Sequence, residues 1–151
     1  MTTSIKFTIG WPQAVQIMAG LFATVLGMGV MAGWHIGNQT LMTFGPWLAP
    51  MVYNAALTFV LCGAALVLGA FGLRRIVLPV GVVIVSIGAL TAAEYATGAD
   101  FGIDRLLMNY YLDFQLPHPG RMALSTAICF ICLGTSFRAR LGVAEASMLF
   151  E

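Results

Sequence analysis

Met51-Val52-Tyr53-Asn54-Ala55-Ala56-Leu57-Thr58-Phe59 and Met122-Ala123-Leu124-Ser125-Thr126-Ala127-Ile128-Cys129-Phe130 are two forms of one phrase. Met51, Ala56, Phe59 and, further on, Gly63 fall on Met122, Ala127, Phe130 and Gly134 at a single offset of 71 residues. A weaker echo precedes each copy at an offset of 61, where Gly20, Gly27 and Gly37 fall on Gly81, Gly88 and Gly98, and Trp34 falls on Tyr95. Each unit is therefore a pair of apolar segments, and the chain is two such pairs. Repeats of this kind record duplication of a structural unit, and in membrane proteins they relate two halves of one bundle.

The composition says what surrounds that bundle. Hydrophobic residues make up 60% of the chain and charged ones 9%, with a mean hydropathy of +0.91, against about 25% charge in a typical soluble domain. A span needs roughly 20 mainly apolar residues to cross about 30 Å of hydrocarbon. Segments near 13–33, 49–72, 76–95 and 121–138 meet or approach that length. The expected fold is thus an all-α polytopic membrane protein, a single domain over 1–151 with four transmembrane helices in two pseudo-repeated hairpins.

Lys6, Arg74, Arg75, Arg138 and Arg140 fall on one side of such a bundle and Arg105 and Arg121 on the other. This five-to-two split predicts cytoplasmic termini, with Leu73-Arg74-Arg75 as a tight cytoplasmic turn. A cleaved signal peptide is not expected, because Met1 to Gly10 holds only Lys6 and the apolar run from Ala14 is too long for a signal core. Trp11-Pro12 instead suits a helix start at the membrane surface. A net charge of +1 gives no electrostatic case for nucleic acid.

Gly29 and Gly33 are four residues apart, as are Ala65 and Gly69. With Gly63 and Gly134 they are the expected helix-packing positions, since small residues let backbones approach where lipid removes the hydrophobic drive. Such a face can also serve dimerisation. The connection 34–48 carries Trp34 and Trp47 with no fixed charge and suits a bilayer surface or a partner. In the longer connection, 101–116 is expected to form a short interfacial helix, with Tyr110 and Tyr111 among Asp104, Arg105 and Asp113, ended by Pro117-His118-Pro119-Gly120. Trp11, Trp34, Trp47, Tyr95, Tyr110 and Tyr111 are the expected interfacial aromatics.

Chemistry-bearing groups are few. Cys129 and Cys132 form a Cys-x-x-Cys inside the fourth segment, without a second pair or a nearby cation, so inward apolar packing is expected there and no metal site. His35 and His118 lie in the outer connections, where haem ligation competes with ordinary hydrogen bonding. Glu94 falls at the end of the third segment, where an unpaired charge is costly. Its basic candidates are Arg105, His118 and Arg121, and Arg121 is preferred because it opens the fourth segment at a matching depth. The group is either a brace for the outer connection or a pocket for a ligand head group. No nucleophile with a base, phosphate loop or carboxylate pair can be assembled, so no enzyme is expected.

Gly98-Ala99-Asp100-Phe101-Gly102-Ile103-Asp104-Arg105-Leu106-Leu107, followed by Pro119-Gly120-Arg121-Met122 and Ser125-Thr126-Ala127-Ile128-Cys129-Phe130-Ile131-Cys132-Leu133-Gly134, resembles the membrane input module that precedes the signalling domains of many bacterial sensor histidine kinases and diguanylate cyclases. Pro50-Met51 through Asn54-Ala55-Ala56-Leu57 and Gly63 is similar to the first copy of that family's repeated motif. The likeness covers roughly residues 15–138 and implies a bacterial inner-membrane location. Members of that group continue into PAS, kinase or cyclase domains, whereas here thirteen residues follow Arg138. Two functions are therefore expected to compete. One is a non-enzymatic accessory subunit of a larger, energy-converting membrane complex, with other membrane subunits as partners. The other is a sensor module that binds a lipophilic or redox ligand and signals to a partner. No cofactor is required by the residues, and quinone, pigment and haem are the compatible ones.

Overall fold

The computed structural model describes residues 10–43, 48–108 and 120–148, with side chains described up to Phe137. The described residues form five helices: α1 (Trp11–Ile36), α2 (Gln39–Met42), α3 (Tyr53–Ala70), α4 (Arg74–Thr97) and α5 (Leu124–Met148). Three of them, α1, α3 and α4, are long and apolar enough to cross a membrane. The described apolar stretch of α5, Leu124–Phe137, is shorter.

Local chemistry sets the helix ends. Pro12 sits in the first turn of α1, where its missing amide costs nothing. Gly37 and Gly98 stop α1 and α4 in the left-handed region, at φ 70° and 68°, a conformation that glycine adopts without penalty. The expected turn at Leu73-Arg74-Arg75 lies slightly earlier. Phe71 to Leu73 make the reversal around Gly72, and Arg74 and Arg75 already belong to α4. We call that end of the bundle proximal and the opposite end distal.

The repeat is visible in the packing. An added Cβ on Gly20 would meet the Gly63 carbonyl oxygen at 2.8 Å and one on Gly27 that of Ala56 at 2.5 Å. In the second pair, Gly81 would meet the Gly134 carbonyl at 3.2 Å and Gly88 that of Ala127 at 2.7 Å. These are the same four positions shifted by 61 and 71 residues, so α1 crosses α3 in the register in which α4 crosses α5. At the distal end the Trp34 indole donates to the Met51 carbonyl at 2.9 Å, and the Tyr95 hydroxyl donates to the Met122 carbonyl at 3.2 Å. That pair of bonds obeys the same two offsets.

α3 and α5 run the same way in the two halves and meet at the centre, together with the α3–α4 contact. The main core lies there, around Ala55, Cys62, Ile84, Ala127 and Phe130. A smaller cluster of Val30, Trp34, Met42 and Ala56 fills the distal end of the first half.

Several expectations are corrected by this arrangement. Trp34 belongs to the last turns of α1 and is buried against protein, 3% exposed, beside Met42 of α2, instead of lying in an open connection. Gly29 takes no part in close packing, for nothing lies within 4 Å of where its Cβ would be, while Gly33 receives Leu41 of α2 and Gly69 lies against Gln16. Cys129 and Cys132 point outward from α5 and only Cys62 is buried, because Ala127, Phe130 and Gly134 take the inward face. Residues 101–108 form turns instead of the start of a helix, since Glu94 and Asn54 bind that backbone from outside it. The remainder of the expected interfacial helix, with Tyr110 and Tyr111, lies outside the described residues, as do Trp47 and His118.

Candidate functional site

Val77, Gly81, Ile84, Gly88, Thr91 and Glu94 are the buried residues of α4. Their spacing of three and four puts them on one face, so the face that packs on α5 through glycine ends in a carboxylate. Glu94 is fully buried. Its position corresponds, at the offset of 61, to Gly33 of the first half. There the space over the glycine is occupied by Leu41 of α2. In the second half the side chain itself projects into it.

The chain beyond α4 wraps around that carboxylate. Gly98 ends the helix, and the backbone turns so that the Phe101 N–H donates to Glu94 Oε1 at 2.9 Å. Asp100 Oδ1 accepts from the Gly102 N–H at 2.9 Å, which tightens the bend. The following turn presents Asp104, and the Asn54 amide of α3 donates to the Ile103 carbonyl at 2.7 Å, fixing the loop to the central helix. Arg121, three residues before α5, then reaches in from the other side. Its Nε donates to Asp104 Oδ2 at 2.9 Å and lies 3.2 Å from Glu94 Oε2. The guanidinium carbon also sits 5.5 Å from the centre of the Tyr95 ring, a cation–π distance.

The electrostatics explain why a cation is required here. Glu94 lies in the last turn of α4, where the helix dipole adds negative potential, and burial removes the water that would offset it. Arg121 supplies one positive charge between two buried carboxylates. Its Nε–H donates to Asp104, and Glu94 Oε2 is held at 3.2 Å by charge without a hydrogen bond.

The balance is incomplete. Among the described residues, the buried Glu94 and Asp104 against Arg121 give −2 + 1 = −1 with all groups ionised, and Asp100 beside them is exposed. Glu94 Oε2, Asp104 Oδ1 and Thr91 Oγ1 are buried without a hydrogen-bond partner among the described residues. One oxygen each from Glu94, Asp100 and Asp104 lie within 4.8 Å of one another, a spacing within the reach of a hard, oxygen-liganded cation.

Of the other residues singled out by sequence, Arg105 lies on the exposed side of the 102–105 turn, away from this network. His35 is 3.2 Å from the Tyr53 hydroxyl, with the rings edge to face. Asp104, Asn54 and Thr91 were not anticipated as members. The Asp100-to-Asp104 spacing was visible, but which acid faced inward depended on the turn at Gly102. Compared with known proteins, the chain matches no family model, no curated protein and no solved structure.

Proposed function

We propose that the chain is a non-enzymatic, four-span membrane module of the sensory-input kind, in a bacterial inner membrane with both termini cytoplasmic. The Glu94–Asp104–Arg121 network is its responsive element, and the signal passes to a partner protein. The observation that carries this reading is the buried Glu94–Asp104–Arg121 network, with one more carboxylate than cation among the described residues, at one end of an otherwise apolar bundle. Ionisable groups at such depth are costly and mark functional sites by default. The network also joins three parts of the chain, since α4, the 101–104 loop and the segment before α5 all meet at Arg121. A change in charge there alters how α4 is held to the start of α5 within the second hairpin, and the Asn54–Ile103 bond carries that change to α3. The motif likeness to membrane input modules points the same way.

A second reading, an accessory subunit of a larger membrane complex, is favoured by a different observation. Met18, Phe22, Val25 and Met28 stand exposed along α1, and Gly29 beside them has open space. That combination would accept a neighbouring transmembrane helix at close range.

Extraction in mild detergent from bacterial membranes tests both. A stoichiometric quinone, pigment or haem in the organic extract or visible spectrum, lost from Glu94→Gln protein that still folds, supports the sensor. Co-migration in a large stoichiometric complex, unchanged by Glu94→Gln and disrupted by Gly29→Leu, supports the subunit. A bare, monodisperse chain with neither property would remove the ground for each.

A further inference from the structure

The two-fold relation between the halves exchanges α1 with α4 and α3 with α5. It therefore pairs the α3–α4 contact with an α5–α1 contact. The first is present, closed at the proximal end by the Phe71–Leu73 turn that joins the two helices. The second is missing, for no Cα of α1 comes within 8 Å of one in α5 among the described residues. In its place is a cleft of about 520 Å³ at the proximal end.

Ala65 and Gly69 of α3 line its floor, and Ala19 of α1 faces Leu133 and Phe137 of α5. Small residues on one wall and floor keep the space open. Its polar lining includes Gln16, Ser136 and Arg74. The Gln16 amide is already held by the Leu66 carbonyl at 2.9 Å, whereas the Arg74 guanidinium is exposed at the start of α4. The N-termini of α1 and α4 both lie at this end, and neither is closed by a side-chain cap. Their dipoles add positive potential around Arg74. An apolar slot with Arg74 as the one charged residue of its described lining, and two helix N-termini at the mouth, is complementary to an amphiphile with an anionic head.

We propose that this cleft is a binding site for one anionic phospholipid from the leaflet at the proximal end. An acyl chain lies between α1 and α5 along Ala19, Leu66 and Leu133, and the phosphate meets Arg74. The lipid then supplies the contact that the duplicated architecture leaves open, and it holds α1 against α5 as the turn holds α3 against α4. The site is separate from the Glu94 network and does not depend on what that network senses.

The test uses the full chain in nanodiscs containing equal amounts of phosphatidylglycerol and phosphatidylcholine, released into native mass spectrometry. Retained lipid should be enriched in phosphatidylglycerol by about fivefold, the preference expected from one well-placed basic side chain. Arg74→Gln should abolish that preference, and Arg75→Gln, one residue outside the lining, should keep most of it. Ala19→Phe, at an exposed wall position, should lower the total lipid retained while leaving the helical circular dichroism spectrum intact. Equal retention of the two lipids would overturn the proposal. So would equal losses from Arg74→Gln and Arg75→Gln, which would reduce the effect to general surface charge. A dimer whose formation is blocked by Ala19→Phe would assign the cleft to a second copy instead.

Discussion

Phe59 and Phe130 occupy the same position of the repeated unit and touch each other, ring edge to ring face, with centroids 5.4 Å apart and planes at 81°. A residue meets its own equivalent only on a two-fold axis. The pseudo-axis therefore passes between these rings, along the direction shared by α3 and α5. The halves are parallel copies of one hairpin. Edge-to-face pairs contribute about 0.5–1.5 kcal/mol beyond burial. Phe59→Leu and Phe130→Leu should each destabilise the bundle, with a coupling of that size in a double-mutant cycle followed by denaturant unfolding in detergent. Additive losses would mean that the rings are neighbours without interaction.

The glycine register makes a sharper distinction. Gly27→Ala and Gly88→Ala drive a methyl into the facing backbone, so each should cost about 1–3 kcal/mol through overpacking. Gly29→Ala meets open space and improves helix propensity by up to about 1 kcal/mol. Thermal melting of the three proteins should therefore show two large decreases and one unchanged or raised midpoint. A loss at Gly29 equal to the other two would contradict the register.

For the charge network, Arg121→Gln should cost on the order of 3 kcal/mol, the usual result of leaving buried partners uncompensated, and Glu94→Gln should cost less, because Arg121 keeps its bond to Asp104. The double substitution should cost less than their sum. Asp104→Asn should couple to Arg121→Gln in the same way, whereas Arg105→Gln should be silent. Simple additivity between Glu94 and Arg121 would show that their proximity contributes nothing.

Orientation can be tested with single cysteines in a background lacking Cys62, Cys129 and Cys132. Leu106→Cys, at the exposed distal surface, should react with a membrane-impermeant maleimide in intact cells, and Arg75→Cys should be protected until the cells are broken. The reverse pattern would place the termini outside.

Glycines and aromatics repeated at fixed offsets made the helix pairing legible in the sequence, because close approach of two backbones leaves almost no choice of residue. Glu94 and Arg121 were legible for a related reason: few charges exist, and depth limits which can meet. Asp104 and Asn54 were not, since both act through a loop whose course follows from the positive φ of Gly102 and from a backbone carbonyl at Ile103. The burial of Trp34 was hidden by a helix that runs three residues further than hydropathy alone suggests. The outward aim of Cys129 and Cys132 followed from which face Phe130 takes, a choice that apolar composition leaves open.

Gly33 and Glu94 stand at one structural position in the two copies. Had the hairpin remained a separate chain that pairs with itself, any acid at that place would have appeared twice, and so would any glycine. Fusion into one polypeptide lifts that constraint. One copy keeps a hydrogen and lets α2 settle over it, while the other carries an anion and recruits an arginine. Linking the hairpins thus permits a single charged locus in a bundle whose two hairpins still pack in one register.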